Sequence, residues 1–116
     1  MAVGVDIEDI SRFKDKSKDF IERIFTASEI EYCDSFSNPE SHYAARFCAK
    51  EAVIKALSFY GIHIAQYRSI EIYKDENNCP NVRISNDLKK DFKFELSLSH
   101  DKTKAIAFVV VSLHFS

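Results

Sequence analysis

Three groups of residues in this sequence have the types and spacing to do chemistry. Asp6 interrupts the apolar run Val3-Gly4-Val5-Asp6-Ile7, and a carboxylate in such a setting needs a cation or several hydrogen bonds to offset its lost hydration. Glu8 stands two residues on and projects to the same side of an extended chain. Hard cations such as magnesium favour one or two carboxylates completed by phosphate oxygens, so Asp6 with Glu8 is a candidate half-site. The plainer alternative for Asp6 is a structural ion pair or a helix cap. The second group is Glu51 in Ala49-Lys50-Glu51-Ala52-Val53, with Arg46, Lys50 and Lys55 within three turns of helix. Three cations around one carboxylate suit a polyphosphate, whereas an i,i+4 pair of Glu51 with Lys55 is the ordinary helix feature. The third is Ser97-Leu98-Ser99-His100-Asp101, a histidine where a strand gives way to a loop. No G-x-S-x-G elbow surrounds these serines, so a hydrolase triad is unsupported. His42, His63 and His114 have no constellation of their own.

The elements that must position these groups follow from periodicity and capping. Val3 to Ile7 predicts a short strand lying inside a sheet. Ile10, Phe13, Phe20, Ile21 and Ile24 are spaced like one side of a helix whose other face carries Arg12, Lys14, Lys16, Lys18 and Arg23. Thr26-Ala27-Ser28-Glu29 is a capping box and predicts a helix ending near Phe36. Asn38-Pro39 predicts the start of the longest helix, with asparagine as cap, and Gly61 its stop. On that helix Phe47, Glu51, Ile54 and Lys55 fall on one face. Arg68 to Tyr73 alternates as a half-buried strand, Asp75-Glu76-Asn77-Asn78 supplies a turn, and Val82-Arg83-Ile84 returns as a hairpin. Asn86 predicts a cap for a short helix over 87–91. Phe92 to Ser99 alternates as an amphipathic strand, and Ala105 to Leu113 is an apolar, β-branched run of the kind covered on both faces. So small a domain cannot cover such a strand alone, which predicts burial in an oligomer.

Composition narrows the class of protein. The chain has 116 residues, 46% hydrophobic and 29% charged, the balance of one compact globular domain. A net charge of -2 and a pI near 6.1 argue against nucleic-acid binding by bulk charge. Cys33, Cys48 and Cys79 are odd in number and lack C-x-x-C spacing, so they read as reduced thiols. The apolar residues before Asp6 are too few for a secretory signal, and the run from Ala105 to Val111 is too short for a membrane span. The expectation is a soluble, cytoplasmic protein with no membrane partner.

Four segments in order resemble the small, holo-(acyl-carrier-protein) synthase type of 4'-phosphopantetheinyl transferase. They are Gly4-Val5-Asp6-Ile7, Phe25-Thr26-Ala27-Ser28-Glu29, Arg46 through Ala56 (Arg-Phe-Cys-Ala-Lys-Glu-Ala-Val-Ile-Lys-Ala) and Ser97-Leu98-Ser99-His100. The resemblance implies one α/β (α+β) domain over residues 1–116, a mixed or antiparallel sheet with a long helix, assembled as a homotrimer with coenzyme A in the cleft between subunits. It implies transfer of 4'-phosphopantetheine from coenzyme A to a serine of apo-acyl carrier protein, in support of fatty acid biosynthesis, with release of adenosine 3',5'-bisphosphate. Asp6 and Glu51 match the magnesium ligands, with Glu8 a further candidate and water completing the octahedron. Glu51, directly or through a metal-bound water, takes the serine proton, and Lys55 stabilises phosphate charge. Arg46, Lys50, Pro80, Ser99 and His100 match or flank coenzyme A contacts. Arg12 and Arg23 match carrier-contacting arginines, with Lys16 and Lys18 beside them. The alternative is a non-catalytic trimeric module that binds nucleotide or carrier protein. The chain departs from the family at Ala56-Leu57-Ser58-Phe59-Tyr60-Gly61, where a glycine-rich turn is usual, and at Asn78, which replaces a hairpin glycine and tolerates positive φ.

Overall fold

A computed structural model describes residues 1–85 and 91–114. β1 (Ala2–Asp9), β4 (Phe92–His100) and β5 (Lys104–Leu113) form an antiparallel sheet in the order β1-β5-β4. β2 (Ile70–Lys74) and β3 (Pro80–Ile84) form a separate antiparallel hairpin. The helices are α1 (Lys18–Ile24), α2 (Ala27–Asp34) and α3 (Pro39–Ser58).

α3 lies across one face of the larger sheet, and small residues make the approach close. Ala49, Ala52 and Ala56 are fully buried, as are Ala105, Ala107, Val109 and Val111 of β5. At Gly4 a Cβ would fall 1.9 Å from the carbonyl oxygen of Ala52, so only glycine permits this separation. The period of two then puts Gly4, Asp6 and Glu8 on the α3 side, and Val3, Val5 and Ile7 on the other.

That other face corrects one expectation and bears on a second. β1 is an edge strand in this chain, not an interior one, and Val3, Val5 and Ile7 are 59%, 51% and 60% exposed. β5 is central, and within this chain only one of its faces is covered, with Ile106 and Phe108 outward beside Ile7 and Val5, which leaves the expected covering of the other face to an oligomer. Apolar residues at successive positions of both strands produce this, because α3 covers only alternate ones.

The single helix expected across Ile10–Ile24 is divided. Ile10–Phe13 is a 3-10 turn, Asp15 takes φ 56°, and α1 begins after Ser17, whose Oγ accepts from the Phe20 amide. The apolar positions are still buried at Ile10, Phe13, Ile21 and Ile24, since two short pieces satisfy the same spacing. The Thr26–Glu29 capping box is complete and starts α2, which stops at Asp34. α3 starts at Pro39 as expected, but the Asn38 side chain does not cap it and instead donates to Ser41 Oγ at 3.0 Å. Gly61, at φ 73°, follows its end, and its amide bonds the Ser58 carbonyl. Asn78 turns the hairpin at φ 62°. The helix expected after Asn86 lies, but for Asp91, outside the described residues.

Candidate active site

Asp6 Oδ1 is 3.1 Å from Lys55 Nζ, which also donates to the Val5 carbonyl at 3.0 Å. The strand and the last turns of α3 are thus joined at this point. Lys55 pairs with Asp6 and not with Glu51, so the local i,i+4 explanation of Glu51 is not the one realised. Asp6 Oδ2 is buried and has no partner. Glu8 lies against Asp6 and accepts from Arg12 Nη1 at 2.8 Å. Burial, and then the contact with Asp6, pushes the Glu8 carboxyl above its ordinary range, with Arg12 working against them. Cys48 of α3 lies beneath the two carboxylates and donates to the Ala105 carbonyl at 3.2 Å. Burial, with Asp6 and Glu8 adding, pushes its thiol up to about 12, so it stays protonated at neutral pH.

Glu51 Oε1 accepts from the Tyr67 hydroxyl at 2.5 Å. That bond, burial and the Glu51 charge push the tyrosine up to about 12. Among the described residues no three His, Cys, Asp or Glu side chains converge on one metal position. What the residues offer is a buried carboxylate oxygen that makes no hydrogen bond of good geometry, with a second carboxylate and the Cys48 thiol against Asp6. Magnesium fits such a set, because it takes one or two carboxylates and fills the remaining positions with water and substrate phosphate.

The other two cations of α3 do not face Glu51. Lys50 is fully buried and gives its three hydrogens to the Ile24 carbonyl (2.7 Å), Glu29 Oε1 (2.7 Å) and the Tyr67 carbonyl (3.1 Å). It is a structural tie, which corrects its expected place among the coenzyme A contacts. The expected crowd of three cations around Glu51 is therefore not realised, since Lys55 is paired with Asp6. Arg46 is 4% exposed, turns toward α2, and stacks its guanidinium 4.0 Å from the Tyr32 ring centroid, with Nε buried and unpartnered.

A second cluster forms around Arg46. His42, one turn earlier on α3, stacks on Phe36 at 3.7 Å, and the His100 ring is 6.4 Å away. Lys74 lies 6.0 Å from the Tyr32 ring, and Pro80 is its register partner across the hairpin. Burial, then Arg46, His100 and Lys74, hold the His42 imidazole below its ordinary range. Ser99 is not brought into this cluster. It pairs with Ile106 on the outward sheet face, while His100 pairs with Ala105 on the α3 side.

The basic residues after Asp6 are spread over several elements. Arg12 sits on the 3-10 turn, bonded to Glu8 and 4.9 Å from the Phe47 ring. Lys16 lies in the link, 5.6 Å from the Phe20 ring, and Lys18 pairs with Glu22 on α1 at 3.7 Å. Arg23 borders a groove with Asp19, Glu22, Gln66 and Arg68.

Sequence reasoning missed His42 and Tyr67. The i,i+4 spacing of His42 and Arg46 was an available signal for the first. Nothing local marks Tyr67, since its contact depends on how the chain returns after α3.

The family model for the 4'-phosphopantetheinyl transferase superfamily matches residues 2–110. The holo-[acyl-carrier-protein] synthase of Thermodesulfovibrio yellowstonii is 42% identical over 115 residues, covering 95% of this chain and 96% of that protein. Among solved structures, the Helicobacter pylori holo-[acyl-carrier-protein] synthase in complex with coenzyme A has a TM-score of 0.77 at 33% identity, over 95% of this chain and 99% of that one. The Bacillus anthracis holo-(acyl-carrier-protein) synthase, in complex with CoA (3',5'-ADP), has a TM-score of 0.78 at 31% identity, over 95% and 94%. The match in sequence runs through the Asp6 strand, the whole of α3 and the His100 strand end, in a shared α+β fold of antiparallel strands and helices. This chain belongs to the holo-(acyl-carrier-protein) synthase family of 4'-phosphopantetheinyl transferases.

Proposed function

We propose that this protein transfers the 4'-phosphopantetheine group of coenzyme A to a serine hydroxyl of an apo-acyl carrier protein, releasing adenosine 3',5'-bisphosphate. The observation that carries this reading is the Asp6 carboxylate, with one buried oxygen unpartnered and the other on Lys55, in a family whose members are named for the reaction. A buried carboxylate left open is costly to folding and makes sense where a cationic ligand completes it.

The serine oxygen attacks the β-phosphorus, and the bond from that phosphorus to the bridging oxygen of the α-phosphate breaks. Glu51 receives the serine proton, and the bisphosphate leaves with the negative charge. Lys55, fixed by Val5 and Asp6, sets a positive charge beside that growing charge. Magnesium, when bound, supplies further neutralisation at the pyrophosphate, and Asp6 and Glu51, with Glu8 against Asp6, are the residues that would hold it. At the nucleotide end, His100, Lys74 and Pro80, backed by the buried Arg46 whose Nε has no partner, form a basic and aromatic surface suited to a phosphorylated nucleoside. Ser99, on the outward face, meets coenzyme A only if a neighbouring subunit brings the cofactor there.

Assembly as a homotrimer is supported by the outward face of Val3, Val5, Ile7, Ile106 and Phe108, a continuous apolar surface on adjacent strands. Arg12, Lys16, Lys18 and Arg23 are the basic groups for an acidic carrier protein, where complementary charge chiefly speeds encounter. The three cysteines are free thiols, which fits the reducing cytoplasm. The test is to incubate the protein with magnesium, coenzyme A and an apo-acyl carrier protein. A phosphopantetheine mass gained by the carrier, and abolished by chelator, is expected; a folded sample that adds no mass sinks the reading.

A further inference from the structure

The geometry points to Tyr67 as a positioning residue that holds one oxygen of Glu51 and so presents the other to a divalent cation. This rests on the reading of Glu51 as a metal ligand. Tyr67 is fixed at three points. Its hydroxyl donates to Glu51 Oε1 at 2.5 Å. Its ring packs on that of Phe47, with centroids 5.2 Å apart, one turn before Glu51 on α3. Its carbonyl accepts from Lys50 Nζ, whose other two bonds reach the end of α1 at Ile24 and the start of α2 at Glu29. Glu29 in turn accepts from the Ile72 amide of β2. The 3-10 turn Tyr67–Ser69 is therefore anchored to α3, α1, α2 and β2 by this network, and the hydroxyl reaches toward the site.

A phenylalanine would serve the ring packing equally well, so packing does not account for the hydroxyl. A free glutamate on a helix face has three rotatable bonds and two equivalent oxygens. With Oε1 committed to Tyr67, the carboxylate has a defined plane and one free oxygen, the way outer groups commonly orient a metal ligand.

The experiment compares wild type, Y67F, E51Q and the double variant E51Q/Y67F. Manganese binding is followed by the loss of free-ion paramagnetic resonance signal, and turnover by magnesium titration. Y67F should keep its melting temperature and weaken manganese binding about 10- to 100-fold. Its magnesium requirement for half-maximal turnover should rise in parallel, with KM for the carrier protein unchanged. In the E51Q background the second substitution should cost nothing further, because Tyr67 acts through Glu51. Wild-type manganese affinity in Y67F, while E51Q is impaired, overturns this inference alone. So does an equal added loss from Y67F in both backgrounds, which is what a general folding defect would produce. Wild-type affinity in E51Q overturns the reading of Glu51 as a ligand.

Discussion

Lys50 Nζ lies 2.7 Å from Glu29 Oε1, and neither side chain has any exposure to solvent. The pair links the middle of α3 to the first turn of α2, where Glu29 also completes the capping box through the Thr26 amide. Burial lowers the lysine's affinity for its proton and Glu29 raises it, and burial is the larger effect. Removing one partner leaves an uncompensated buried charge. We expect K50M to lose about 3–5 kcal/mol in urea unfolding. A loss below about 1 kcal/mol would mean that the buried charge is solvated in a way these contacts do not show.

Asp6 should behave in the opposite manner. D6N keeps the shape of the side chain, removes a charge whose Oδ2 has no partner, and leaves Lys55 exposed enough to be solvated. The melting temperature should hold or rise. Turnover should fall by more than about 100-fold, beyond the range typical of groups that merely support a ligand. A D6N protein with unchanged turnover removes Asp6 from the site.

Acid sensitivity should involve Glu71. Its Oε1 accepts from Ser28 at 2.5 Å and Thr26 at 2.8 Å, and its Oε2 from Arg83 at 2.8 Å. Ser28 foremost, then Thr26 and Arg83, hold its carboxyl below the usual 4.5. The folded state thus binds fewer protons than the unfolded one between the two values. Its contribution is complete above the unfolded value and is lost as pH falls through the folded one. The melting-temperature advantage of wild type over E71Q should be level from neutral pH down to about 4.5 and shrink below it. An advantage that stays constant into stronger acid contradicts the assignment.

The outward face predicts a quaternary effect. F108E places a charge among Val5, Ile7 and Ile106. It should sediment as a monomer with an unchanged far-ultraviolet dichroism spectrum, and lose turnover with the assembly. A trimer that survives F108E means that the subunits meet elsewhere.

Local chemistry made much of this fold legible. The Thr26–Glu29 box, the left-handed Gly61 and Asn78, and the alternation of Ile70 and Ile72 each specify their element within a few residues. Asp6, Glu51 and Lys55 could be singled out because each is a charge among apolar or small neighbours. The break at Asp15 could not be read, because the spacing of Ile10, Phe13, Ile21 and Ile24 admits one helix or two short pieces. Lys50 and Lys55 looked alike in one motif, yet they stand roughly 140° apart around a helix. Their fates were decided by Glu29 and Asp6, 21 and 49 residues away in sequence. Tyr67 was invisible for the same reason.

The missing side chain at Gly4 has a consequence for the chemistry two residues further along the strand. Contact between its Cα and the Ala52 carbonyl acts as a mechanical stop that calibrates the distance between two rigid bodies. Asp6 rides on one of them, and Glu51 and Lys55 on the other. Under the proposed function, the width of the gap for a cation and a pyrophosphate would therefore be gauged by a position that carries no functional group. A methyl there would widen that gap while leaving every reactive atom in the sequence unchanged.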